Sequence, residues 1–268
     1  MKNVTIKSAL YLVLSLVAGT ALAADPTPDL AKEKRWAEQI VPQLIVGEDI
    51  TLKAGNTHFL GLYTQAETDT AKGATILIHG GGVHPDWSQI IKPLRVNLPE
   101  DGWATLSIQM PVLHNDATEE EYVPLFSKHT STRIKAAVDY LASQGIDNIF
   151  IAAHSLGATM ASDYLARSHD KRVKGFVGIG MKGEPRKDYP QLDNVYSLVQ
   201  VRQPVLDIYG SETNKGVRNS VERRAYTLAT IGNRKSRQVV VNGSDHFFEG
   251  YEEKLQHEIT AFMDDVSK

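Results

Sequence analysis

The sequence runs to 268 residues, of which 42% are hydrophobic and 23% charged, with a formal net charge of -3 and no cysteine. That length supports one domain with a sizeable core, and the weak net charge excludes the broad cationic field of a nucleic-acid binder, so no nucleic-acid partner is expected. Without cysteine there is neither a disulfide nor a lipid-modified cysteine, and stability must come from the core.

Taken in chain order, the first segment carries Lys2 and Lys7, an apolar stretch from Ala9 to Ala18, and the small-residue pattern Ala21-Leu22-Ala23 followed by Ala24-Asp25-Pro26. This reads as a secretory signal peptide over residues 1–23, leaving an exported domain over residues 24–268. The apolar stretch is shorter than the roughly 20 residues that a membrane span needs, so no stable membrane anchor is expected. Asp29 to Val41 has the caps and spacing of a short helix at the edge of the domain, with Pro28 before it and Pro42 ending it.

Beyond Asp49, apolar runs rich in β-branched residues alternate with helical patterns, the mark of a mostly parallel sheet covered on both faces. Eight strands are expected: Asp49 to Lys53, Thr57 to Thr64, Ala74 to His79, Ala104 to Gln109, Asn148 to Ala153, Val173 to Gly178, Val205 to Tyr209 and Gln238 to Val241. Between the fourth and fifth, Ile134, Val138 and Leu141 share one face of a helix, with Gly145 just past its end. Glu249 to Val266 also has a helical pattern.

The chemistry gathers at three strand ends. After the fifth strand, His154-Ser155-Leu156 precede the helical start Gly157-Ala158-Thr159-Met160-Ala161. A serine on such a strand–turn–helix junction is held in a strained conformation that needs very small residues two before and two after it, and Ala153 and Gly157 meet that need. A strand run Ile76-Leu77-Ile78 leads into His79-Gly80-Gly81-Gly82, whose backbone N–H groups can approach a ligand closely. After the last strand, Asn242-Gly243-Ser244-Asp245-His246-Phe247 places a histidine in a loop, where a base can meet the serine. His79, His84 and Asp86 are also metal-ligand types, but a glycine-rich turn gives them no fixed common face. Asp116 and Glu119 to Glu121 lie in a long connection on the serine's side of the sheet, as a solvated loop that can border a pocket.

Together these features resemble the α/β-hydrolase superfamily over nearly the whole mature chain. Three runs look more specifically like an uncharacterised bacterial family of exported α/β-hydrolase-like proteins: Ile78 to Trp87, Gly102 to Pro111 and Leu206 to Gly210. The resemblance implies an α/β fold with a mostly parallel central sheet of about eight strands, helices on both faces and a Gram-negative periplasmic location. It also implies a nucleophile at Ser155, a base at His246, and an oxyanion hole from the N–H groups of Leu156 and of Gly81 or Gly82. The acid that orients the histidine belongs just beyond the glycine of the seventh strand, where the commonest spacing falls on Thr213, which has no carboxylate. Glu212, one residue earlier, is preferred over Asp207 inside the strand, which can instead be a buried structural carboxylate. Asp245 ranks below both, and Glu184 is a further alternative.

The expected activity is acyl transfer to water, with a small-molecule ester as substrate and no cofactor. Peptide or amide hydrolysis by the same residues is the nearest alternative within enzymes. A non-catalytic envelope protein that uses the hydrolase fold for binding or scaffolding is the alternative outside them. The short Met181 to Gln203 segment between the sixth and seventh strands argues against a large lid there.

Overall fold

Eight strands form one sheet in the order β1-β2-β4-β3-β5-β6-β7-β8. A computed structural model describes residues 26–268; the signal peptide expected over residues 1–23 lies outside the described residues. The first element among the described residues is α1 (Leu30–Ile40), capped by the Asp29 carboxylate, which accepts from Lys32 N at 2.9 Å. The hairpin β1 (Glu48–Ala54) and β2 (Thr57–Thr64) follows, and both of its outer pairings are antiparallel. The remaining strands run parallel: β3 (Gly73–Ile78), β4 (Trp103–Ile108), β5 (Ile149–His154), β6 (Val173–Ile179), β7 (Val205–Gly210) and β8 (Arg237–Val241).

Every residue of β3, β4, β5 and β7 is buried. This is why these strands read as continuous apolar runs, since helices cover both faces of a parallel sheet. On one face, Ile76, Ile78, Ile151, Ala153 and Phe176 pack with α4 (Ser131–Ser143) and α5 (Leu156–Ser168). On the other, Leu77, Phe150, Ala152, Val177 and Ile208 pack with α2 (Ile91–Asn97) and α9 (Glu252–Val266). The alternation of Ile76, Leu77 and Ile78 between the two clusters is the period-2 pleat of a strand.

The helices not foreseen are short or hide polar residues. They are α2, α3 (Glu119–Tyr122), α6 (Asn194–Leu198), α7 (Lys215–Arg218) and α8 (Val221–Thr230). The parallel strands all end at one edge of the sheet, and there the connections after β3, β5, β6, β7 and β8 converge. In open α/β sheets this is the edge where ligands bind.

Three buried arginines tie elements around the sheet together through ion pairs. Arg95 donates to Asp86 at 2.8 Å, Arg133 pairs with Glu33 of α1 at 2.9 Å, and Arg224 of α8 pairs with Asp207 of β7 at 2.7 Å. Lys32, the neighbour of Glu33 on α1, donates to Leu113 O and Asn115 Oδ1 at 3.0 and 2.8 Å. Helix α1 thereby holds the connection that follows β4.

Candidate active site

Ser155 sits between β5 and α5 with φ 54° and ψ -122°, a left-side conformation that a side-chain-bearing residue rarely adopts. The strain is held by its surroundings: Ser155 N donates to Ile179 O at 2.9 Å, and Ala158 N donates to Ser155 O at 2.9 Å. Gly157 is required by space, because a Cβ there would overlap the carbonyl oxygen of His79 and come within 2.9 Å of that of Ile78. Ala153 takes the preceding small position, fully buried in β5.

His246 lies in the loop after β8, and its Nε2 is 3.1 Å from Ser155 Oγ. The loop is held from beneath by His154, whose Nε2–H donates to the His246 carbonyl at 3.1 Å; the two rings lie 4.8 Å apart. Room for the ring comes from Gly180, which has φ +63° and where a Cβ would stand 2.8 Å from His246 Cε1. Burial foremost, with the Lys182 charge acting in the same direction, brings the His246 imidazole down to about 4 against the opposing pull of Asp245 and Glu119. The imidazole is therefore neutral at pH 7.

The far side of the ring departs from the expectation of a carboxylate. His246 Nδ1 is 2.9 Å from Thr213 Oγ1, and Thr213 is 1% exposed. Glu212 instead points to solvent, its carboxylate accepting from Ser211 Oγ at 3.0 Å while its N–H donates to Ser244 O. Asp207 is fully buried inside β7 and is taken up by Arg224 Nε and Gln238 Nε2, each at 2.7 Å. Asp245 accepts from Phe247 N at 2.8 Å, an Asx turn that shapes the loop. Among the described residues, neither these three carboxylates nor Glu184 hydrogen-bonds the ring. The spacing after the seventh strand does fall on the ring's partner at position 213, but that partner is a hydroxyl in place of the expected carboxylate.

Gly81, Gly82, Ser155 and Leu156 line one cavity of about 250 Å³ with His114, Glu119 and Tyr122. The glycine loop lies against the start of α5, since a Cβ on Gly81 would stand 3.0 Å from Leu156 Cδ2. Glu119, one of the lining residues, pairs with Lys182, and its neighbour Glu120 accepts from Arg186 at 2.8 Å. These pairs tie the connection after β4 to the one after β6, and Lys182 puts a positive charge near His246. Of the acidic run expected as a solvated loop that can border a pocket, Glu119 to Glu121 form the start of α3 and Glu119 lines the cavity.

The remaining polar residues of the glycine turn have structural partners. His79, driven down to about 3 by burial, has Nδ1 2.8 Å from Gly80 O and accepts from Met110 N at its Nε2, at 2.9 Å. Asp86 is taken up by Arg95 and Lys92, and the His84 ring packs edge-on against Trp36 and Trp87. Among the described residues, no group of three or more His, Asp or Glu is placed to hold a metal ion.

A family model described as "Protein of unknown function (DUF3530)" matches residues 7–129 and 116–265. The chain belongs to this family. No curated protein matches the sequence. In fold, this DUF3530 member is similar to an esterase from Pyrobaculum calidifontis, with a TM-score of 0.66 at 17% identity, covering 89% of this chain and 93% of that one. It is similar too to Est1E from Butyrivibrio proteoclasticus, with a TM-score of 0.61 at 17% identity over 81% and 98% of the two chains. A dienelactone hydrolase from Anabaena variabilis matches with a TM-score of 0.61 at 20% identity over 81% and 96%. At these identities the likeness establishes the α/β-hydrolase fold.

Proposed function

We propose that this protein is an exported serine acyl hydrolase that acts on small soluble esters in the periplasm. The observation that carries the reading is the strained Ser155, with its Oγ 3.1 Å from His246 Nε2 at the edge of the sheet. A purely structural turn has no need of that backbone strain. The cavity beside the serine has room for a short acyl or alcohol group, and its lining includes Glu119 of the Lys182–Glu119 pair, which favours small polar esters over long fatty chains. The hydrolase names of the structural neighbours lend support at the level of reaction class.

In this mechanism Ser155 Oγ attacks the ester carbonyl carbon as its proton passes to His246 Nε2. The oxyanion is held by the N–H groups of Leu156 and of Gly81 or Gly82. Collapse of the intermediate expels the alcohol, which takes the proton from His246. Water, deprotonated by the same nitrogen, then releases the acid from Ser155. No step requires a cofactor.

Labelling of the purified protein by a fluorophosphonate, together with a series of short- and longer-chain aryl esters, tests the reading. Labelling that disappears in Ser155→Ala is the expected result; folded parent protein that neither labels nor turns over any ester favours a binding or scaffolding role. Export is tested by the mass of the mature N-terminus, expected at or near Ala24.

A further inference from the structure

Each of the two ring nitrogens of His246 faces a hydroxyl, Ser155 Oγ at Nε2 and Thr213 Oγ1 at Nδ1. A hydroxyl donates or accepts, whereas a carboxylate only accepts, so the neutral ring with its single proton admits two directions of hydrogen bonding. In the first, Ser155 donates to Nε2 and Nδ1–H donates to Thr213; this is the direction that nucleophilic attack needs. It leaves the Thr213 hydroxyl proton to find another acceptor, and among the described residues Thr213 Oγ1 has no hydrogen-bond partner besides Nδ1. In the second, Thr213 donates to Nδ1, Nε2–H donates to Ser155 Oγ, and the serine proton points into the half-open cavity, where solvent or substrate can accept it. Only the first direction strands a donor in the interior.

Resting on the reading of Ser155 and His246 as the reactive pair, we infer that Thr213 is a positioning residue that holds the resting imidazole in its Nε2–H tautomer, with Ser155 unactivated. The cost of stranding a buried hydroxyl puts the Nε2–H form in excess on the order of 10–100-fold. Turnover then proceeds through the minor Nδ1–H tautomer and is slowed by the same factor. Thr213 thereby supplies shape without charge: it fixes the ring plane but biases the proton to the wrong nitrogen for attack.

Nitrogen-15 spectra of the full-length histidine-labelled protein at pH 7 report which nitrogen of His246 carries the proton. The expected result is Nε2–H in the parent and in Thr213→Ser, which keeps the hydroxyl. In Thr213→Asp the proton should move to Nδ1, with ester turnover and fluorophosphonate labelling at least about tenfold faster. A parent spectrum with Nδ1–H overturns the inference by itself, whether or not the aspartate variant folds. Thr213→Asp that shifts the proton without accelerating either reaction overturns the claim that the tautomer limits turnover. A parent with Nε2–H that shows no ester turnover in any variant leaves Thr213's role standing and refutes the hydrolase reading instead.

Discussion

Taking the protein from pH 7 to pH 5 should cost roughly 4 kcal/mol of folding stability through His79 and His154 alone. Both rings are buried, 1% and 4% exposed, and burial drives each to about 3 from an ordinary 6.5. His79 has a geometric reason as well, since its Nε2 accepts from Met110 N and cannot take a proton without losing that bond. In the unfolded chain each imidazole gains a proton near pH 6.5, and in the folded chain only near 3, so between those values the unfolded state binds more protons. Stability therefore falls as the pH falls through this window, by about 1.4 kcal/mol per pH unit per histidine once below the unfolded value. Over pH 7 to 5 that integrates to about 2 kcal/mol each, a large part of the 5–15 kcal/mol typical of a folded domain. His246, held at about 4, adds a comparable amount in the same direction, since its folded value also lies below this window. Urea unfolding at the two pH values measures the loss, and His79→Gln and His154→Gln should each shrink the difference by about 2 kcal/mol, since the contributions of all other groups are common to parent and variants. Equal stability of the parent at both pH values, or an unchanged difference in both variants, would refute the reasoning.

Gly157→Ala should cost about 1–3 kcal/mol, because its Cβ overlaps the His79 carbonyl. It should also slow labelling by about 100-fold through displacement of the Ser155 turn; melting temperature and labelling rate check the two effects. Asp207→Asn should destabilise the fold by about 3 kcal/mol, by leaving Arg224 buried without its anion, yet spare the chemistry, since Asp207 does not touch His246. Glu212→Gln, at an exposed side chain, should change stability by no more than about 0.5 kcal/mol and leave ester turnover intact. Loss of turnover in Glu212→Gln with the fold preserved would return the acid to position 212. Glu119→Gln should push the His246 imidazole lower still, since Lys182 then acts on it without its counter-charge, as a histidine titration followed by NMR would register.

The sheet was legible because its strands are buried on both faces. Thr57–Thr64 has the expected bounds, and β3 and β5 each start or end within a residue of them. Helix α4 was readable from Ile134, Val138 and Leu141 because one apolar stripe faces the core. Helix α8 was not, since its buried residues include Arg224 and Thr227, which read as surface until Asp207 is seen to need a partner. At the site, a serine at a strand–helix junction and a histidine after the last strand carry local signals, and the structure brings those two side chains within hydrogen-bond distance. The ring's other partner has no such signal. Spacing pointed to 213, but chemistry expected of the position excluded a threonine, and only the fold shows the hydroxyl against Nδ1. The Lys182–Glu119 pair joins residues 63 apart in sequence, and no local pattern encodes it.

Helix α1 lies far from Ser155 along the chain, yet its grip on Val112 to Asn115 makes it part of the site's support. Lys32 and Glu33 satisfy backbone and side-chain groups of a segment whose next residues, His114 and Asn115, wall the cavity. Removing residues up to Gln39, by recombinant truncation or by a protease that nicks before β1, would leave the eight-stranded sheet whole. It would also strand Arg133 without its carboxylate and free the wall beside the serine. Such a shortened form should have a wider entrance beside Ser155, bounded on one side by a wall that no longer has α1 behind it.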